Sequence, residues 1–146
     1  MPLQDTALVL ATDIDVTASA NGAAVTLGAT GTLGPINNGT ITMCHIRFDG
    51  AIETDSADEL LDVFIEVYDG TTWYGIGRFP QFTHNTASKF SAARFASALR
   101  RTSIPLLVEF WATQMRYRTV VAGTIVTGWA DMNLWLTPTN LVPDAA

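Results

Sequence analysis

Cysteine is almost missing from this chain. Its 146 residues hold one, Cys44, which excludes an intramolecular disulfide framework and any thiolate zinc cage and leaves stability to packing. Histidine is nearly as scarce, with only His45 and His84. Neither stands in an HxH or HExxH frame or in a His–carboxylate cluster, so no metal site and no metal cofactor is expected. No apolar run approaches the roughly 18 residues that span a bilayer. The opening Met1-Pro2-Leu3-Gln4-Asp5 has neither the basic nor the apolar region of a secretion signal, so a soluble chain that starts at Met1 and avoids membranes is expected. A phosphate loop and a dinucleotide fingerprint are missing too, because Gly75-Ile76-Gly77 lies in a strand pattern and opens no helix.

What is present has an ordinary globular balance: 48% hydrophobic and 15% charged residues, with 11 glycines and 6 prolines. The length suits one domain, 1–146, that buries roughly two thirds of its unfolded surface. The net charge of −6 hides an asymmetry. Residues 1–69 carry eleven acids against Arg47 alone, for −10, whereas residues 70–146 carry seven bases and three acids, for +4. An acidic balance disfavours a dedicated nucleic-acid binder, which needs a surplus of cations on its contact face. Two readings of the asymmetry stay open: neutralisation within one fold, or head-to-tail contact between identical subunits.

Alternation of period two recurs along the chain and predicts a mainly β protein. Asp13 to Ala18, extended by Ala7 to Ala11, reads as a strand, and Asn21-Gly22 as a tight turn that folds residues 23–27 back into an N-terminal hairpin. Residues 28–39 read as a loop. Thr40 to Phe48 sets Thr42, Cys44, Ile46 and Phe48 on one face. Glu53 to Asp62 reads as a turn or loop, and Val63–Tyr68, Asp69-Gly70-Thr71-Thr72 and Trp73–Phe79 as a second hairpin with positive φ at Gly70. Residues 87–100 carry apolar positions at helical spacing, which makes a short helix plausible beside a loop-plus-strand alternative; Arg100 and Arg101 would sit at its dipole-favoured end. Strands over Ile104–Ala112, Arg116–Val126 and Trp129–Leu136 follow, and an irregular tail begins at about 137. About eight short strands with at most one helix predict a two-sheet antiparallel β-sandwich or jelly roll.

No catalytic constellation emerges. Cys44 and His45 are neighbours on a strand and point to opposite faces, so they form no thiolate–imidazolium pair. Asp13 and Asp15 share a strand face, and Glu53, Asp55, Asp58, Glu59 and Asp62 crowd one segment without calcium-loop spacing; both sets read as solvated surface. The last strand is more informative. If Ala130, Met132, Leu134 and Leu136 face the core, Trp129, Asp131, Asn133 and Trp135 share the outer face. That set suits a partner chain or a sugar, unless the chain's own loops cover it. With the basic tract Arg94, Arg100 and Arg101 it forms the candidate interface.

Three stretches add a resemblance: Ala7–Leu27, Phe64-Ile65-Glu66-Val67-Tyr68-Asp69-Gly70-Thr71-Thr72-Trp73 and Arg116-Tyr117-Arg118-Thr119-Val120-Val121-Ala122-Gly123-Thr124. Their order resembles that of small structural proteins of tailed bacteriophages, in which a strand–Asp-Gly-Thr–Trp–strand hairpin precedes an Arg-Tyr strand, a Gly-Thr turn and a final aromatic strand. The resemblance covers about two thirds of the chain; the segment 53–62 and the stretch 87–100 depart from it. It implies a β-sandwich virion protein made in the host bacterial cytoplasm, a capsid decoration or cement protein on the capsid surface. The major capsid protein would be its partner and a homo-oligomer, such as a trimer, its form. A carbohydrate-binding or receptor-binding module of a fibre or tail is the alternative.

Overall fold

The computed structural model describes residues 9–27, 40–50, 59–82 and 101–138. Among them the strands are β1 (Val9–Val16), β2 (Ala20–Asn21), β3 (Val25–Thr26), β4 (Thr40–Phe48), β5 (Leu60–Tyr68), β6 (Trp73–Arg78), β7 (Arg101–Val108), β8 (Gln114–Ala122) and β9 (Trp129–Pro138). They form two antiparallel sheets, one in the order β1-β9-β4-β7 and the other in the order β2-β8-β5-β6, with β3 also on β8. The fold is the expected all-β sandwich, and no helix occurs among the described residues. The helix considered over 87–100 lies outside them.

The core forms where the inward faces of the two sheets meet. Cys44, Ile46 and Phe48 of β4, Leu106 and Val108 of β7 and Met132, Leu134 and Leu136 of β9 pack in one cluster with Val63, Ile65 and Val67 of β5 and Met115 and Tyr117 of β8. Each set is an alternating half of its strand, as a sheet with one buried face requires. The β5–β6 hairpin is as read from sequence. Gly70 has φ +102°, and Asp69 Oδ1 accepts the amides of Thr71 and Thr72, both at 2.7 Å. Those two amides hold the Asp69 carboxyl below the usual carboxylate range.

Several local expectations are corrected. The N-terminal hairpin does not form: β1 pairs with β9, whereas β2 and β3 both lie on β8. Gly22 serves close approach instead of a turn, since its amide donates to the Tyr117 carbonyl at 2.8 Å and a Cβ there would strike the Tyr117 ring. The strand read over 104–112 begins earlier and ends at Val108, because the Ala112 amide turns back to the Glu109 carbonyl at 3.1 Å. Arg101, expected at a helix end, is the first residue of β7, opposite Arg47. Finally, β5 takes in Leu60 to Asp62, which had read as loop, and β9 runs on through Pro138 into the expected tail.

Candidate functional site

The expected interface strand is split by a bulge. Asp131 has φ 55° and Asp13 on the partner strand φ 49°, and the β1–β9 register slips between the Ile14–Met132 and Val16–Trp129 pairs. The slip turns Trp129 to the same side as Met132, so Trp129 is 1% exposed in the core and does not share an outer face with Trp135. Trp135 does lie on the outer face, but the neighbouring strand covers it. The His45 ring stacks on it with centroids 5.2 Å apart and planes at 25°, and the Arg47 guanidinium lies 5.2 Å from its centroid. The indole is 3% exposed, and its Nε1 has no hydrogen-bond partner.

Asn133 is likewise consumed within the fold. Its Nδ2 donates to Asp49 Oδ2 at 2.9 Å, to the Asp131 carbonyl at 3.0 Å and to Asp13 Oδ1 at 3.2 Å, and its Oδ1 accepts the Asp13 amide at 3.2 Å. The Asp131 amide donates to Asp15 Oδ1 at 3.1 Å. Asp131, Asn133 and Trp135 therefore stand together with Asp13, Asp15, Arg47 and Asp49 as a network that joins β1, β4 and β9. Asp13 and Asp15 are exposed but carry structural bonds. Arg94 and Arg100 lie outside the described residues.

Among the described residues His45 and Cys44 are also taken up by the fold; His84 lies outside them. His45 Nδ1 lies 2.6 Å from Ser103 Oγ and its Nε2 2.7 Å from Thr137 Oγ1, which spans β7, β4 and β9 in one line. Cys44 faces the core fully buried, and burial pushes its thiol far up. Among the described residues no group of three or more His, Cys, Asp or Glu could hold a metal ion.

The second sheet carries the more developed outer face. On β5 the outward set is Phe64, Glu66 and Tyr68; the register puts Arg118 opposite Phe64 and Arg116 opposite Glu66 on β8, and Trp73 opposite Tyr68 and Gly75 opposite Glu66 on β6. Glu66 receives Arg116 Nε on Oε1 and Arg118 Nε on Oε2, each at 2.9 Å. The Arg116 guanidinium lies 4.1 Å from the Trp73 centroid and that of Arg118 4.4 Å from the Phe64 centroid. Tyr68 and Trp73 lie 4.9 Å apart with planes tilted by 31°. The carboxylate side chain is 10% exposed and the two arginines 19% and 36%. Two cations thus share one sunken anion, and each is stacked on a ring.

No family model, curated protein or solved structure matches the chain.

Sequence reasoning missed this second face. The outward half of Phe64-Ile65-Glu66-Val67-Tyr68 and the Arg116-x-Arg118 spacing were visible, but the register that brings them together was not. An apolar strip on the first sheet was missed as well. Ile41 and Leu107 face each other across β4 and β7 and are 52% and 50% exposed, with Phe110 beyond the end of β7 at 73%.

Proposed function

We propose that the chain is a non-enzymatic structural protein of a tailed-bacteriophage virion, which binds the capsid lattice and stabilises it as a decoration or cement protein. The observation that carries this reading is the Ile41–Leu107 pair with Phe110: large apolar side chains, each at least half exposed, at one end of the first sheet. Contiguous exposed apolar side chains mark contact surfaces. Burying the exposed half of each contributes about 1 kcal/mol per side chain, and a lattice repeats that contribution over many copies. The docking surface is therefore this strip and not the last-strand tryptophans, which are taken up by the fold. Among the described residues β7 is the edge of its sheet, and Pro105 within it, opposite Met43, discourages strand addition there. That favours side-chain docking onto a shell over edge pairing. The resemblance of the Phe64–Trp73 and Arg116–Thr124 stretches to phage structural proteins supplies the partner class.

Mass spectrometry of virions purified from the source should find the chain, and shells lacking it should take it up. The doubly substituted Ile41→Asp/Leu107→Asp chain should keep its melting temperature and lose shell binding in co-sedimentation. Absence from virions, or a double variant that decorates shells like the parent, defeats the proposal. A carbohydrate-binding module is the second reading, favoured by the Trp73–Arg116–Arg118 face of the other sheet.

A further inference from the structure

We propose that Arg116 and Arg118 form a receptor for a carboxylate-bearing saccharide, seated over a notch at Gly75 on the outer face of the second sheet; this rests on the second reading and gives it a ligand class and a place. Each arginine reaches Glu66 through Nε alone. Among the described residues, the terminal nitrogens of both guanidiniums have no hydrogen-bond partner. Each planar head is also fixed against a ring, Trp73 for Arg116 and Phe64 for Arg118. The costly step in building an anion site is ordering long side chains, and here the fold has already done it. One sunken carboxylate against two guanidiniums leaves a surplus of one positive charge facing outward. The two residues are two apart on one strand, which separates their backbones by roughly 6.6 Å. Two neighbouring donor forks at that distance match one bidentate carboxylate with adjacent hydroxyls, or two carboxylates of a polymer.

The ground beside the forks is open. Gly75 stands opposite Glu66, is exposed, and a Cβ built on it would meet nothing within 4 Å. The outer face therefore has a gap on β6 in the row where β5 carries Glu66 and β8 carries Arg116, two residues along from Trp73. The Trp73 ring is already taken up by Arg116 and Tyr68, so a ligand meets the guanidiniums and the gap: an inorganic anion would use the guanidiniums alone, whereas a pyranose ring uses both.

The test is calorimetric titration of the full chain with tetragalacturonate and sialyllactose as carboxylate probes, maltotetraose as the neutral control and a poly-glutamate peptide as the competing acidic polymer. The chain should bind at least one carboxylate sugar. Arg118→Gln should weaken that binding at least tenfold, and Gly75→Leu, whose Cβ meets nothing within 4 Å and whose side chain fills the gap, should do the same at an unchanged melting temperature. Binding only to maltotetraose would keep the carbohydrate reading and overturn the acidic site; binding to no sugar overturns both. Equal binding of the peptide, or indifference to both substitutions, overturns the saccharide site in favour of an acidic protein partner or a contact elsewhere.

Discussion

Replacing Glu66 by Ala is the most direct perturbation of the second sheet, because one side chain holds two others. Glu66 is 8% exposed and accepts two charge-assisted hydrogen bonds at 2.9 Å. Bonds of that kind contribute about 1.5–3 kcal/mol each, so removing both costs at most about 3–6 kcal/mol. The arginine side chains are 19% and 36% exposed, so their released heads regain water, and their ring contacts persist. Halving the figure for that recovery leaves about 1.5–3 kcal/mol. At about 3 °C per kcal/mol for a domain of this size, the melting temperature should fall by about 5–9 °C. Thermal unfolding followed by circular dichroism at pH 7 measures this directly. Because the carboxylate is sunken, most of the loss should survive 0.5 M salt. A double-mutant cycle with Arg118→Ala should return a coupling of about 1 kcal/mol or more. A Glu66→Ala variant that melts within a degree of the parent, or a coupling of zero, would refute the reasoning: the three charges would then contribute nothing net to the fold.

Three further outcomes follow from single positions. Gly70→Val forces a β-branched residue to φ +102° while its Cβ meets nothing, so the cost is backbone strain alone, about 1–2 kcal/mol; an unchanged urea midpoint removes the turn assignment. Asp69 has its carboxyl pKa lowered by the Thr72 and Thr71 amides. A depressed folded pKa adds stability that is fully present above the ordinary value of about 3.9 and is lost as pH falls through the lower folded value. The melting gap between the parent and Asp69→Asn should therefore be steady from pH 5 to 8 and close in stronger acid; a gap constant down to pH 2 contradicts it. Cys44 is fully buried with its thiol pushed up, so a thiol reagent at pH 8 should label the chain only as fast as it unfolds, and rapid labelling of the native protein would contradict its place in the core.

How far the sequence could be read depended on whether a signal was local. In β4 the alternation of Thr42, Cys44, Ile46 and Phe48 decides which face is buried, and in the β5–β6 hairpin Asp69-Gly70 supplies the turn; both were legible. Trp129 was not, because one left-handed residue, Asp131, shifts the phase of β9, and nothing in the local pattern announces it. Asn21-Gly22 gave a strong local turn signal that tertiary pairing overrode, since β8 offers the segment a partner that β1 does not. The turn after β7 lacks Gly and Pro and is made by Glu109-Phe110-Trp111-Ala112, so the strand read as too long. Glu66 meets Arg116 and Arg118 across 50 and 52 residues, a contact that only the register reveals.

The topology also accounts for the charge asymmetry within one fold. Strands β1 to β5 come from the acidic residues 1–69 and β6 to β9 from the basic remainder. Every strand pairing among the described residues, whether β1–β9, β2–β8, β3–β8, β4–β7, β4–β9, β5–β6 or β5–β8, joins a strand of one half to a strand of the other. Among the described residues neither half contains a sheet contact of its own, so the two halves are brought side by side by the same pairings that build the sandwich, and Glu66 between Arg116 and Arg118 is where their opposite charges become an ion pair. The asymmetry therefore requires no head-to-tail partner to explain it. Apart from the local β5–β6 hairpin, the same interleaving makes the strand pairings non-local. Loop-closure entropy must be overcome before those pairings form, which places this chain among the slower-folding β topologies.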